Sequence, residues 1–200
     1  MTQATKYTSD ARTGLIALGA NLRSGEMLPE TSVPRAMTRV AELTGGVAVK
    51  SRLFHTPAFP AGSGPQFVNA AMAVEWHGTA DDLLALLHLV EQEFGRTRAY
   101  RWEARVMDLD LIGLDDVILP DAETRAAWAK LSPEHAAEVV PDQLILPHPR
   151  LAERGFVLVP LGDVAPEWVD PATGQSVAQM LAAIPAEVLA EISPVPEAGE

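Results

Sequence analysis

Apolar and polar positions divide this chain into short blocks, and the spacing within each block predicts its conformation. Residues 14–20 (GLIALGA) are a compact apolar run and predict a buried strand. Residues 21–30 read as a loop. Pro34 suits the opening of a helix that runs to about Leu43, where Gly45 and Gly46 stop it. Residues 47–56 alternate as a strand, with Val47, Val49, Ser51 and Leu53 on one side and Ala48, Lys50, Arg52 and Phe54 on the other. Three prolines and two glycines make residues 57–66 a loop.

The block at 67–76 is the clearest strand. Val68, Ala70, Met72, Val74 and Trp76 form one apolar face, opposite Phe67, Asn69, Ala71, Ala73 and Glu75. Thr79 and Asp82 stand at capping-box spacing, with Asp where Glu is usual. Behind them Leu83, Leu84, Leu87, Val90 and Phe94 recur at helical spacing, and Gly95 ends the helix. A further strand is predicted at 104–114. Residues 115–143 read as an acidic insertion with one short helix, and 144–150 as extended chain around two prolines. Residues 156–161 predict another apolar strand, and a helix follows at 176–183. Residues 1–12 read as a flexible polar tail and 193–200 as a frayed one, leaving 13–192 as a single domain. The succession strand, helix, strand, strand, helix, strand predicts an α+β fold. Its expected form is a ferredoxin-like βαββαβ sandwich, with helices packed on one face of a mainly antiparallel sheet.

Composition narrows the function. The chain has no cysteine, which removes disulfides, thiolate metal sites and a cysteine nucleophile together, and it is expected in the cytoplasm. No apolar stretch approaches the roughly 20 residues that cross a bilayer, so no membrane partner is expected. The net charge of -12 argues against nucleic acid as well. That charge is unevenly spread. Arg96, Arg98, Arg101 and Arg105 fall within one ten-residue window, and Arg150 and Arg154 form a second group. Seven acids lie between 115 and 142, and seven more follow Arg154, where no Lys or Arg remains. An acidic chain that gathers arginine at one point predicts a small anionic ligand.

The strongest chemical signal is DLDL at 108–111. On a strand Asp108 and Asp110 share a face, while Leu109 and Leu111 enter the core. Two carboxylates this close repel unless a proton or cation sits between them, and magnesium with substrate phosphates suits such a pair. A solvated strand face beside arginines is the competing reading. The arginines of 96–105 offer permanently charged, paired donors that suit phosphate, or they pair with the two aspartates. Trp102 could stack on a base or anchor the loop. Asn69 lies mid-strand beside Phe67, with a donor and an acceptor able to read a lactam edge next to an aromatic cover. His148 is fixed between two prolines, with Arg150 and Arg154 close behind. No P-loop, zinc spacing or nucleophile elbow is present.

Together these pieces resemble the 6-hydroxymethyl-7,8-dihydropterin pyrophosphokinase family. The resemblance runs from about Leu15 to Leu181. It rests on ALGANL at 17–22, Thr56-Pro57, FVNAA at 67–71, Glu91, RTR at 96–98, Arg101-Trp102, Arg105, DLD at 108–110, Pro147-His148 and RGF at 154–156. It implies a monomeric enzyme with small-molecule substrates only, transferring pyrophosphate from ATP to the pterin hydroxymethyl group in folate biosynthesis. Asp108 and Asp110 would hold two magnesium ions, and Arg96 and Arg105 would act with them in catalysis. Glu91, Arg98, Trp102, Arg105, His148 and Arg154 would lie on the ATP side. Thr56, Phe67, Asn69 and Phe156 would form the pterin pocket. Glu103-Ala104 stands where the family usually has Gly-Pro, and Phe67 where Tyr is common.

Two other classes compete. A ferredoxin-like regulatory module could bind a small anion without catalysis, but a pure anion receptor gains nothing from paired aspartates. An RNA-binding domain would need a basic, aromatic sheet face, and residues 67–75 supply one aromatic and an acid.

Overall fold

A computed structural model describes residues 11–58, 64–95, 106–132, 135 and 139–196. In it six strands form one sheet: β1 (Arg12–Ala20), β2 (Ala48–Lys50), β3 (Phe54–Thr56), β4 (Phe67–Trp76), β5 (Asp108–Leu114) and β6 (Ser193–Pro194). Their order is β5-β1-β4-β3-β6, with β2 also on β4, and every pairing is antiparallel. β1 and β4 are the centre. They pair from Arg12 opposite Trp76 to Ala20 opposite Val68.

The segment at 47–56 is two strands rather than one. Ala48 pairs with Val74 and Phe54 with Asn69, a slip of one residue taken up between β2 and β3. Ser51 fills the break: its N–H donates to the Ala71 carbonyl at 2.9 Å and its Oγ accepts from the Ala71 N–H at 2.8 Å. A second bulge lies in β5, where the register against β1 shifts between Leu15 and Ile16. It lets Leu114 join Leu109 and Leu111 in one core while Ile112 enters the other.

Helices α1 (Pro29–Thr44) and α2 (Ala80–Glu93) pack on one face of the sheet. α1 starts five residues before Pro34. The stripe Val33, Ala36, Met37 and Val40 is buried against the sheet, and that burial outweighs the one backbone hydrogen bond Pro34 cannot make. Gly45, at φ 64°, closes α1 with its N–H on the Ala41 and Glu42 carbonyls. Thr79 and Asp82 form the predicted capping box at the start of α2.

The second face carries helices too, so the expectation of helices on one face only needs correction. Residues 156–161, expected as a strand, belong to the helix α4 (Gly155–Val164). A short apolar run does not by itself distinguish strand from helix. Here Val157, Leu158 and Leu161 fall on one helical face and bury against Leu15, Ala17, Ala71 and Ala73. α5 (Val177–Ala182) completes this second core through Val177 and Met180, behind the capping box of Ser176 and Gln179. Between β5 and α4 the insertion contributes α3 (Ala122–Ala129), capped by Asp121.

Residues 193–195, which fall within the expected frayed tail, are paired. After α6 (Ala186–Ala190), Ser193 pairs with His55 and Pro194 with Phe54, and the Val195 N–H reaches the Leu53 carbonyl at 2.8 Å. Ile184, Val188 and Ile192 surround Gly155, where a Cβ would meet each at 3.3–3.5 Å.

Candidate active site

One face of the sheet gathers the predicted polar residues by register alone. Asp108 of β5 lies opposite Gly19 of β1, Gly19 opposite Asn69 of β4, and Asn69 opposite Phe54 of β3. In the next row Asp110 lies opposite Ala17, and Ala17 opposite Ala71. Cross-strand partners share a face, so both aspartates project with Asn69. α4 covers this face over Ala17 and Ala71, and the row through Gly19 lies just beyond it.

Asp108 and Asp110 are each half-buried. The Nη1 of Arg154 donates to Asp110 Oδ2 at 3.3 Å, and the same guanidinium stands over the Phe156 ring at 5.8 Å. Arg154 therefore joins the carboxylate pair to the aromatic at the start of α4. Glu91, expected on the nucleotide side, is buried on α2, where its Oε1 accepts from the Leu109 N–H at 2.8 Å. It grips β5 at the residue between the two aspartates.

Asn69 and Thr56 are both buried, and the Asn69 Nδ2 donates to Thr56 Oγ1 at 2.7 Å. This bond fixes the amide plane. Phe67 is half-buried, Phe54 is buried, and Phe156 is 41% exposed at the first turn of α4. Two contributors were absent from the sequence reading of this site. Phe54 joins through its pairing with Asn69. Gly19 joins because a Cβ there would stand 2.8 Å from Asn69 Oδ1, too close for any larger residue without movement of the amide. The signal for both was the strand register, which short motifs do not carry.

His148 is half-buried close to this group. Its N–H donates to the Ile112 carbonyl at 2.8 Å, and its Nδ1 accepts from the Arg150 N–H at 3.2 Å. Desolvation lowers its pKa from 6.5 to about 4, helped by the positive charges of Arg154 and Arg150 and opposed by Asp110. The ring is neutral at pH 7, and with Nδ1 accepting, its proton sits on Nε2. Because the folded value lies below the unfolded one, the native state disfavours protonation. The stability this confers is complete above about pH 6.5 and is lost as pH falls through about 4. An NMR titration of the His148 ring should give a midpoint near 4, and one near 6.5 would contradict the burial that causes the shift.

Arg96, Arg98, Arg101, Trp102 and Arg105 lie outside the described residues. Among the described residues no three His, Cys, Asp or Glu side chains come together. The paired aspartates are oxygen donors of the kind a hard divalent cation takes together with substrate oxygens.

A ferredoxin-like α+β fold that sets paired carboxylates and a buried amide on one sheet face, with a guanidinium on one carboxylate, fits a small phosphotransferase. Comparison with known proteins is more specific. A family model described as 7,8-dihydro-6-hydroxymethylpterin-pyrophosphokinase (HPPK) matches residues 15–166. The chain belongs to this family. It is 32% identical over 174 residues to the 2-amino-4-hydroxy-6-hydroxymethyldihydropteridine pyrophosphokinase of Pseudomonas aeruginosa, covering 86% of this chain and 91% of that one. It is 29% identical over 202 residues to the Synechocystis protein of the same name, covering 98% and 88%. The fold is similar to that of wild-type Plasmodium falciparum HPPK-DHPS, with a TM-score of 0.59 at 12% identity over 86% of this chain. The present chain spans 44% of that solved chain.

Proposed function

We propose that this chain transfers the pyrophosphoryl group of ATP to the hydroxymethyl group of 6-hydroxymethyl-7,8-dihydropterin. The hydroxymethyl oxygen forms a bond to the β-phosphorus, the bond from that phosphorus to the oxygen bridging it to the α-phosphorus breaks, and AMP leaves with that oxygen. The hydroxyl proton passes to solvent. The observation that carries this reading is the common face of Asp108, Asp110 and Asn69, set by the pairing of β5, β1 and β4.

In this reading Asp108 and Asp110 hold two magnesium ions. Their oxygen-only, partly exposed donor set fits that cation, which supplies charge neutralisation to the phosphates when bound. Arg154 and the Nε2–H of His148 donate to phosphate oxygens, together with Arg96, Arg98 and Arg105, while Glu91 and Trp102 lie on the nucleotide side. Asn69, oriented by Thr56, reads the polar edge of the pterin, and Phe67 and Phe156 cover its faces. The working unit in this reading is a monomer in the cytoplasm, with residues 13–192 as one domain.

Incubation with ATP and hydroxymethyl-dihydropterin should release AMP with magnesium and none without it. No AMP in either tube would favour an anion-binding module. Gly19→Ala should raise the KM for the pterin about tenfold while the KM for ATP stays within about twofold, because the new methyl displaces the Asn69 carbonyl. Equal changes in both constants, in steady-state assays, would count against the pocket.

A further inference from the structure

Among the described residues, the acidic insertion reaches the segment before His148 through the Leu119–Leu146 backbone bridge and through Arg125. Arg125, on α3, is buried and pairs with buried Asp170: its Nη2 donates to Oδ2 at 2.9 Å. Its Nε donates to the Pro147 carbonyl at 3.3 Å. The other Asp170 oxygen accepts from the Ala172 N–H at 2.8 Å, so the carboxylate is satisfied on both sides. The peptide group between Pro147 and His148 is therefore held at both ends. Arg125 takes its carbonyl, and the Ile112 carbonyl of β5 takes its N–H.

We propose that Arg125 is a positioning residue for the reaction. It fixes the Pro147–His148 peptide, and so the direction in which His148 presents its Nε2–H, relative to the strand that carries Asp110. The inference rests on the reading of His148 as a phosphate contact. Two arguments favour it over simple attachment of the insertion. A buried ion pair is a costly tether, and apolar residues of similar volume hold two elements together as well or better. A guanidinium, in addition, offers donors in a rigid fork, so one side chain engages the carboxylate and the carbonyl in fixed relative directions.

The test uses the full chain with ATP, magnesium and the pterin, in a cycle of three variants: His148→Ala, the double swap Arg125→Met with Asp170→Leu, and all three changes together. The swap removes the donor to Pro147 and leaves no unpaired buried charge. Should the swap not fold, as read from its thermal melt, Arg125→Lys takes its place in the cycle. The expected result is that His148→Ala lowers kcat/KM for ATP about 10- to 100-fold and the swap lowers it at least fivefold, with pterin KM unchanged in both. The combined variant should then be no worse than His148→Ala alone. If the swap leaves kcat/KM for ATP unchanged, or its effect multiplies with that of His148→Ala, the inference is overturned while the reading of His148 stands. If His148→Ala itself leaves kcat/KM for ATP unchanged, the reading of His148 falls and the inference falls with it.

Discussion

Asp110→Ala should lower turnover about a thousandfold while the protein still melts within a few degrees of the parent. The two halves of this expectation have separate causes. Asp110 is 40% exposed in its side chain, and its 3.3 Å pair with Arg154 is an interaction of the kind worth up to about 1 kcal/mol. Its loss also relieves repulsion from Asp108 two residues away. The native state therefore loses little. In the proposed reaction the carboxylate would hold the cation that neutralises the phosphates, and the variant would lack it at the moment charge moves to the leaving group. Stopped assays of AMP release and a thermal melt read both quantities. Near-parental turnover in Asp110→Ala would remove the cation from this pair of carboxylates.

Asn69→Ala should weaken pterin binding about 100-fold and ATP binding less than about threefold. The amide donates to Thr56 and is held over Gly19, so its remaining donor and acceptor are directed rather than averaged. Removing it costs the contacts to the pterin edge and leaves the buried Thr56 hydroxyl without the amide that now donates to it. Nothing in the described contacts of Asn69 reaches His148 or Arg154, which is why the nucleotide should be nearly indifferent. Titration calorimetry with each ligand separates the two effects, and equal losses would remove Asn69 from the pocket.

The sequence carried most of the sheet and the identity of the chemistry. β4 was legible to the residue because the large apolar side chains of Val68, Met72, Val74 and Trp76 all fall on one face at strand spacing, and the α2 start because Thr79 and Asp82 are a local device. DLD at 108–110 was legible because strand periodicity alone puts its acids together. What stayed hidden depends on contacts between distant segments. Residues 156–161 have the composition of a strand and become helix because Val157, Leu158 and Leu161 find a second sheet face to cover. The break at Ser51 is set by its bonds to Ala71, twenty residues away. Arg125 carried no local motif, and its partners Asp170 and Pro147 are 45 and 22 residues distant.

The margins of the sheet also bear on how this protein behaves at high concentration. On the β3 side, Ser193 to Val195 occupy backbone groups that would otherwise invite a foreign strand. On β5, the Leu109 N–H is already taken by Glu91. β2 is only three residues long and ends in Lys50, a charge that discourages docking of another chain. The antiparallel sheet is thus guarded at these points by residues near the carboxyl terminus, an internal acid and a lysine. Each of these features takes away part of the template that a strand from another copy would need to start cross-β pairing.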